Sequence, residues 1–210
     1  MAFDFKKEYK EFYMPKNKPA IVNIPEINYI AVRGMGNPND EDGEYKKAIE
    51  ILYVVSYTLK MSYKSGYNID GFFEYVVPPL EGFWWQENTD TINYSDKSSF
   101  HWISVIRLPD FVTESDFKWA LKTAEEKKKL DCSQAEFYTV KEGLCVQIMH
   151  YGPFDNEPET IAVMDQFLFN NGYVNDITEK RRHHEIYLSD ARRVPPEKWK
   201  TVIRHPVKKA

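Results

Sequence analysis

The chain has 210 residues, 42% of them hydrophobic and 29% charged, so it can bury a hydrophobic core without a metal or disulfide bond. Its net charge of −4 argues against nucleic-acid binding, which requires a basic face. No stretch approaches the roughly 20 apolar residues of a membrane span, and residues 1–10 do not resemble a signal peptide. We therefore expect a cytoplasmic protein that binds neither nucleic acids nor membranes.

The first predicted unit covers residues 20–110 and follows an N-terminal arm at 1–19. Its predicted elements are strands at 21–24 and 29–34, a helix from 42 to 66, a strand at 72–77, extended structure at 80–85 and a strand at 101–108. A charged helix at 113–130, with a capping-box-like start at Thr113, is expected to lie outside this unit as a connector.

The second predicted unit, at about 136–207, repeats this order. Its elements are strands at 144–150, 184–188 and 200–204, the last stopped by Pro206, and a helix at 157–170. The two units also end alike, because Ser104–Pro109 matches Thr201–Pro206 in residue type. A period near one hundred residues indicates a duplicated βαββ unit within one domain at 20–208.

Duplication predicts an α+β fold in which two pseudo-symmetric βαββ units with antiparallel sheets form a central ligand groove. Each helix covers the outer face of its sheet and leaves the other face bare, and two bare faces brought together form a cleft. The aromatic content of 15% exceeds what a core of this size needs, and Tyr and Trp suit a surface that is dry on one side and wet on the other. We therefore expect the groove to be lined by rings.

A carboxylate in this groove is predicted from the segment 184–188. Alternate side chains of a strand share a face, so Glu185 and Tyr187 point one way while Ile186 and Leu188 point the other. If the aliphatic pair faces the helix, Glu185 faces the groove, where poor solvation suits a carboxylate for proton transfer or for pairing with a cation. The alternative is a solvent-exposed acid.

Aromatic candidates for the walls of the groove come from several strands. Trp84 and Trp85 are adjacent on a strand and must face opposite sides, and we favour Trp85 for the groove. The alternative is that both fill the interior. The remaining wall candidates are Tyr75, Trp102 and Tyr151.

Metal ions and cofactors are not indicated by the sequence. Cys132 and Cys145 lack metal-ligand spacing and are read as reduced structural residues. The adjacent residues His183 and His184 diverge on a strand, which favours a solvated pair over a metal site. Gly-rich phosphate loops and nucleophile motifs are absent.

Four segments resemble the GyrI-like family, whose members share a duplicated βαββ fold with the effector-binding domains of multidrug-responsive regulators. They are His150–Phe154, Asn171–Tyr173, His184–Asp190 and Thr201–Pro206. The segment Leu80–Trp85 resembles the corresponding segment of a subgroup of this family whose members stand alone, without a regulator attached. For that subgroup the resemblance implies hydrolysis of cyclopropanoid DNA-alkylating toxins in an aromatic cage beside a carboxylate. Glu185 would then be the carboxylate, with Tyr187 and one of Trp84 and Trp85 in the cage. Ala191 follows Ser189-Asp190 where family members often have proline.

Three functions compete at this level. In the first, Glu185 takes a proton from water that attacks the cyclopropane or, if protonated, supports charge on the conjugated carbonyl. In the second, the protein only binds a planar hydrophobic compound, neutral or cationic; for a cationic compound Glu185 is the counter-charge and the rings make cation–π contacts. In the third, it shields a protein partner such as a topoisomerase through an exposed patch.

Overall fold

The computed structural model describes residues 2–89 and 92–210, in which seven strands form one antiparallel sheet. The strands are β1 (Ala20–Met35), β2 (Leu80–Trp85), β3 (His101–Arg107), β4 (Glu136–Tyr151), β5 (Tyr173–Asn175), β6 (His183–Tyr187) and β7 (Lys200–Lys209). The α-helices are α1 (Phe5–Glu8), α2 (Lys10–Tyr13), α3 (Glu44–Lys60), α4 (Glu114–Lys128) and α5 (Glu157–Asn170). None of these helices is long and apolar enough to cross a bilayer.

The sheet closes into a six-stranded barrel to which β5 is added. The strand order is β4-β1-β3-β2-β6-β7-β5, and β4 also pairs with β7. The first unit supplies β1, β2 and β3 and the second supplies β4, β6 and β7, with the pairs β1–β4 and β2–β6 joining them. The predicted α+β class, the duplicated units and the antiparallel sheet are therefore confirmed.

The bare faces of the two units meet inside this barrel, and their side chains fill it. A hydrophobic cluster drawn from β1, β2, β3, β4, β6 and β7 occupies the interior; it includes Tyr29, Phe83, Val105, Met149, Ile186 and Val202. The space between the units is thus core, and the residues that the structure describes leave no open groove there. The reason is closure, because six paired strands bring the inner side chains within packing distance of one another.

The outer face of the sheet carries the helices. Ile30, Val32 and Ile106 of the first unit pack under α3, and α4 contacts α3 and adds Phe117 to the same cluster. In the second unit, a separate cluster forms between the sheet and Met164 and Leu168 of α5. Two helical layers therefore cover the sheet, one for each unit, and α4 is part of the first core.

A network of charged side chains is buried inside the barrel. His184 Nδ1 lies 2.9 Å from Glu142 Oε2, and its Nε2 lies 3.0 Å from Glu81 Oε2. Arg204 donates hydrogen bonds to Glu142 and Gln147, at 2.8 and 3.1 Å. Burial raises the pKa of Glu142, but His184 and Arg204 outweigh it and lower that pKa to about 2. The network therefore joins strands β2, β4, β6 and β7 across the interior.

The N-terminal segment closes one end of the barrel. Phe5, Phe12 and Tyr13 are buried against the interior cluster. The carbonyl of Phe12 accepts a hydrogen bond from Arg204 at 2.8 Å, and the hydroxyl of Tyr13 donates one to Glu81 at 3.2 Å. These residues, read from the sequence as an arm, form two short helices that pack on the domain.

Several predicted elements differ from the structure. The strands predicted at 21–24 and 29–34 form the single strand β1, and β4 begins at Glu136 instead of at 144. Residues 72–77 were expected to form a strand, but they pair only through an isolated bridge between Tyr75 and Phe3. Their rings pack with Phe111 instead of joining the sheet. Strand β7 continues through Pro206, because a proline removes only a backbone donor and its carbonyl still accepts a hydrogen bond from Asp176.

The buried network predicts the response of stability to acid. The pKa of Glu142 is below its unfolded value of 4.5, so its contribution is complete above pH 4.5 and is lost as pH falls toward 2. We expect Glu142→Gln to lower the free energy of unfolding by about 3–5 kcal/mol at pH 7, because it leaves buried cations unpaired. Its loss of stability between pH 5 and pH 2, measured by chemical denaturation, should be smaller than that of the wild type.

Glu136→Gln is the matched control on the same strand. Glu136 pairs with Arg33 at the surface, where both side chains are about half exposed, so we expect a loss below about 1 kcal/mol. Equal losses in the two variants would contradict the stabilising role of the interior network.

Candidate functional site

Strand β6 presents Glu185 on the outer face of the barrel, between the two helical layers. Directly paired residues of antiparallel strands share a face, and Glu185 is opposite Gly82 of β2 and Ile203 of β7. Ile203 belongs to the cluster under α5, whereas Ile186 points into the barrel. The predicted alternation along β6 is correct, but the aliphatic side faces the barrel interior and the carboxylate side faces the helices.

Trp84 and Tyr187 lie together beside this carboxylate. Trp84 Nε1 donates a hydrogen bond to the hydroxyl of Tyr187 at 2.8 Å. Gly82 permits this contact, because a Cβ at that position would lie 2.6 Å from Trp84 Nε1 and 3.2 Å from the Tyr187 hydroxyl. The three residues form an aromatic floor on the same face of the sheet as Glu185.

Trp85 lies on the opposite face, so the preference for Trp85 over Trp84 is wrong. The pairing of Trp84 with His183 places Trp84, not its neighbour, on the Glu185 face. Trp85 stacks on His101 and lies under the guanidinium of Arg182, 3.5 Å from the ring centroid. The error arises because alternation of side chains along β2 places the two indoles on opposite faces of the sheet but does not say which of them is on the outer face.

The other predicted wall residues have separate positions. Trp102 pairs with Trp84 and shares its face, buried beside Tyr45 with ring centroids 5.1 Å apart. Tyr75 is instead buried near the N-terminal segment and lines a surface pocket of about 220 Å³. Tyr151 is 53% exposed and points away from the Glu185 face, since its partner Lys200 precedes the residue paired with Tyr187. The structure does not bring Tyr75 and Tyr151 to Glu185.

A chain of two histidines leads away from Glu185. His183 Nε2 lies 2.8 Å from Glu185 Oε1, and His183 Nδ1 lies 2.7 Å from His205 Nε2. Burial, followed by the charge of His183, lowers the pKa of His205 well below its ordinary value, so this ring is neutral. His183 and His184 are both buried, and the expected solvated pair is wrong because closure of the barrel covers both faces of β6.

A second carboxyl group, Glu157, faces Glu185 from the start of α5. His150 holds the turn that precedes this helix, with Nδ1 2.8 Å from the Thr160 hydroxyl and Nε2 3.1 Å from the Pro153 carbonyl. Glu157 is fully buried, and its Oε2 accepts a hydrogen bond from the Tyr94 hydroxyl at 3.0 Å. The site therefore contains two carboxyl groups from different elements.

Burial and the proximity of the two carboxyl groups raise the pKa of Glu157 and of the neighbouring tyrosine hydroxyls. Burial, and then the negative charge of Glu185, raise the pKa of Glu157 well above its ordinary value. Burial and the nearby carboxylates also raise the pKa of the hydroxyls of Tyr45, Tyr94 and Tyr187. The site thus contains neutral tyrosine hydroxyls and a carboxyl group, Glu157, that keeps its proton to a higher pH than usual beside Glu185, which suits acid–base chemistry.

The part of the chain formed by residues 86–89 and 92–99 covers the site. Gln86 anchors it by donating to Ser99 and to the carbonyl of Asp96, at 2.7 and 2.9 Å. Lys97 pairs with Asp155 at 2.6 Å, beside the turn that precedes α5, and Tyr94 reaches down to Glu157. Under this cover only 7% of Glu185 is exposed.

Glu157, His183 and Glu185 are also where the described residues can hold a divalent cation, since one donor atom of each lies within 4.8 Å of the others. However, the 2.8 Å between His183 Nε2 and Glu185 Oε1 is shorter than the ~3.3 Å between two ligands of a tetrahedral zinc with bonds of ~2.0 Å. The cluster therefore has the geometry of a hydrogen-bonded network.

Sequence reasoning missed five residues of this site, which are Tyr45, Tyr94, Glu157, His183 and His205. Only His183 carried a usable signal, because it is two residues from Glu185 on the same strand and must share its face. The other four come from separate elements, and their approach to Glu185 depends on barrel closure and on the position of α5.

The raised pKa of Glu157 predicts a stability cost at high pH. Because the folded pKa exceeds the unfolded value of 4.5, the folded protein keeps a proton that the unfolded chain releases, and stability falls as pH rises above 4.5. We expect Glu157→Gln to remove up to about 1.4 kcal/mol of this loss per pH unit. Thermal unfolding followed by circular dichroism from pH 5 to pH 8 checks this, with the exposed neighbour Glu159→Gln as the control. An unchanged pH slope in Glu157→Gln would show that Glu157 is not the group that retains the proton.

Comparison with known proteins identifies the family. Residues 17–208 match the GyrI-like small molecule binding domain. An uncharacterized conserved protein from Listeria innocua is 47% identical with a TM-score of 0.92, over 98% of this chain and 100% of that one. A Listeria innocua hydrolase is 45% identical with a TM-score of 0.89 over the same shares, and a hydrolase encoded by lin2189 from that organism is 46% identical with a TM-score of 0.91, over 99% and 100%. No curated protein matches the sequence. The chain therefore belongs to the GyrI-like small-molecule-binding family.

Proposed function

We propose that the protein binds a flat, mostly apolar molecule against the aromatic floor on the outer face of its barrel and hydrolyses it. The observation that carries the proposal is the position of Glu185, which is buried beside Trp84 and Tyr187 and lies within hydrogen-bonding distance of His183. A carboxylate with little access to water, next to rings that can stack on a ligand, suits a general base.

Entry of a ligand requires the cover to move. The contacts that hold residues 86–89 and 92–99 over Glu185 include the Lys97–Asp155 pair and the hydrogen bond from Tyr94 to Glu157. The Lys97–Asp155 pair is partly exposed and contributes roughly 0–1 kcal/mol, so the stacking energy of a planar ligand is sufficient to displace it.

The proposed substrates are cyclopropanoid alkylating toxins, in which a cyclopropane is fused to a dienone. Water attacks the strained ring carbon while Glu185 takes its proton. The ring bond breaks, and its electron pair passes through the conjugated system to the carbonyl oxygen. A neutral tyrosine hydroxyl such as that of Tyr45 donates a hydrogen bond to that oxygen as charge develops there. The description of two similar Listeria innocua proteins as hydrolases supports hydrolysis over binding alone.

The second candidate is binding without turnover. It is favoured by the family itself, and by a site in which Glu185 can pair with a cationic ligand stacked on Trp84. Incubation with a cyclopropanoid alkylator distinguishes the two functions, because hydrolysis adds one water to the compound and mass spectrometry detects the product. Saturable binding with no hydrated product would leave sequestration as the function.

The proposed base predicts the effect of Glu185→Gln. Turnover of the alkylator should fall by at least tenfold, since general base catalysis contributes ~10²- to 10⁴-fold. Affinity for the compound should change little, because the aromatic floor is unaltered. The measurement is single-turnover kinetics beside calorimetric binding, and full activity of the variant would rule out Glu185 as the base.

The adjacent tryptophans provide a matched pair for the binding site. In a Glu185→Gln background, which prevents turnover, Trp84→Phe should weaken binding of the alkylator by roughly tenfold, equal to the ~1.4 kcal/mol of an aromatic contact. Trp85→Phe should leave affinity unchanged, because Trp85 lies on the other face of the sheet under Arg182. Calorimetry that found the larger loss in Trp85→Phe would place the ligand elsewhere.

A further inference from the structure

The two carboxyl groups of the site are an unusual pair. Donor atoms of Glu157, Glu185 and His183 lie within 4.8 Å of one another, and all three residues are buried. Oε2 of Glu157 accepts a hydrogen bond from Tyr94, whereas its Oε1 is buried and has no hydrogen-bond partner in the described part of the chain. The proposed function uses Glu185 but leaves this second carboxyl group without a task.

The pair carries one proton that is available for chemistry. Within residues 2–89 and 92–210, neither carboxyl group forms an ion pair with a lysine or arginine. Two buried carboxylates this close cannot both stay ionised without a cation, so one of them is an acid while the other is a base. The raised pKa of Glu157 assigns the proton to that residue.

An adjacent acid and base suit a reaction in which the atom attacked and the leaving atom are bonded to each other. An epoxide meets this condition, since water attacks a ring carbon and the ring oxygen leaves from that same carbon. With each proton-transfer contact about 3 Å long, acid and base can stand within a few ångströms of each other. In the cyclopropanoid toxins the charge arrives at the far end of the dienone, beyond the reach of a group next to the base.

We propose that the protein also hydrolyses epoxides carried by flat aromatic molecules, with Glu185 as the base and Glu157 as the acid. The inference rests on the proposed function, because the substrate must stack on the same aromatic floor. It extends that function to a second class of strained ring and gives Glu157 a catalytic role.

The step balances without any further reactant. The oxygen of water forms a bond to the epoxide carbon, and the carbon–oxygen bond of the ring breaks. The proton of water goes to Glu185, and the proton of Glu157 goes to the ring oxygen, which leaves a diol. The proton on Glu185 then passes to Glu157 across the short gap between them, and the starting state is restored.

The test uses styrene oxide and trans-stilbene oxide as probes, with diol formation followed by mass spectrometry. We expect diol formation by the wild type to exceed the buffer rate and to fall at least tenfold in Glu157→Gln and in Glu185→Gln. The exposed neighbour Glu159→Gln is the matched control and should keep full activity. Addition of EDTA should have no effect, because both proton transfers are made by side chains.

A second variant keeps the test decisive if Glu157→Gln does not fold. Glu157→Asp retains the carboxyl group but withdraws it by one methylene, and should give a partial loss of diol formation with no change in affinity for the probe. Circular dichroism establishes that each variant is folded. Diol formation at the wild-type rate in folded Glu157→Gln or Glu157→Asp would overturn the role of Glu157.

Parallel assays with a cyclopropanoid alkylator separate this inference from the proposed function. Turnover of the alkylator with no diol from either epoxide would overturn the inference and leave the proposed function standing. If the wild type turns over neither the alkylator nor the epoxides, the proposed function is rejected and the inference with it. Loss of diol formation in EDTA would overturn the inference, because it would show that a metal-bound water, and not the carboxyl pair, is the catalyst.

Discussion

The site depends on the contacts that His184 makes with Glu81 and Glu142 inside the barrel. Burial lowers the pKa of His184, but the two carboxylates outweigh this and raise it above its ordinary value. A shift of one residue in the register of β6 would turn His184 outward and bury a different residue among charges, at a cost of several kcal/mol. The network therefore fixes the face on which His183, Glu185 and Tyr187 emerge.

The outer face gains its chemical properties from what the two units place over it. The first unit contributes Trp84, Tyr45 and the covering residue Tyr94, and the second contributes Glu157. Glu185 is thus at the junction of both repeats, and neither repeat alone contains the site. Ligand sites at junctions of this kind are common because they unite groups whose positions are set by independent elements.

Much of the fold was predictable because residue periodicity is visible in short segments and the duplication is visible from comparing the two halves of the sequence. The alternation along 184–188 and the capping box of α4 were both found as expected. Closure of the barrel was not predictable from periodicity, because it depends on the long-range pairs β4–β7 and β2–β6. The same closure turned the expected groove into core. Glu157 was read only as the start of a helix, since its partner lies 28 positions along the chain, at Glu185.

Barrel closure also decides how the molecule loses its structure. The hydrogen bonds of β1 with β4 and of β2 with β6 cross between the repeats, so residues 20–110 taken alone would have two long strand edges without partners. The repeats therefore form one cooperative unit, and unfolding should proceed in a single transition in which both halves separate together. An ancestral single repeat would have needed a second copy of itself to satisfy those edges, which makes a paired assembly the natural precursor of this chain.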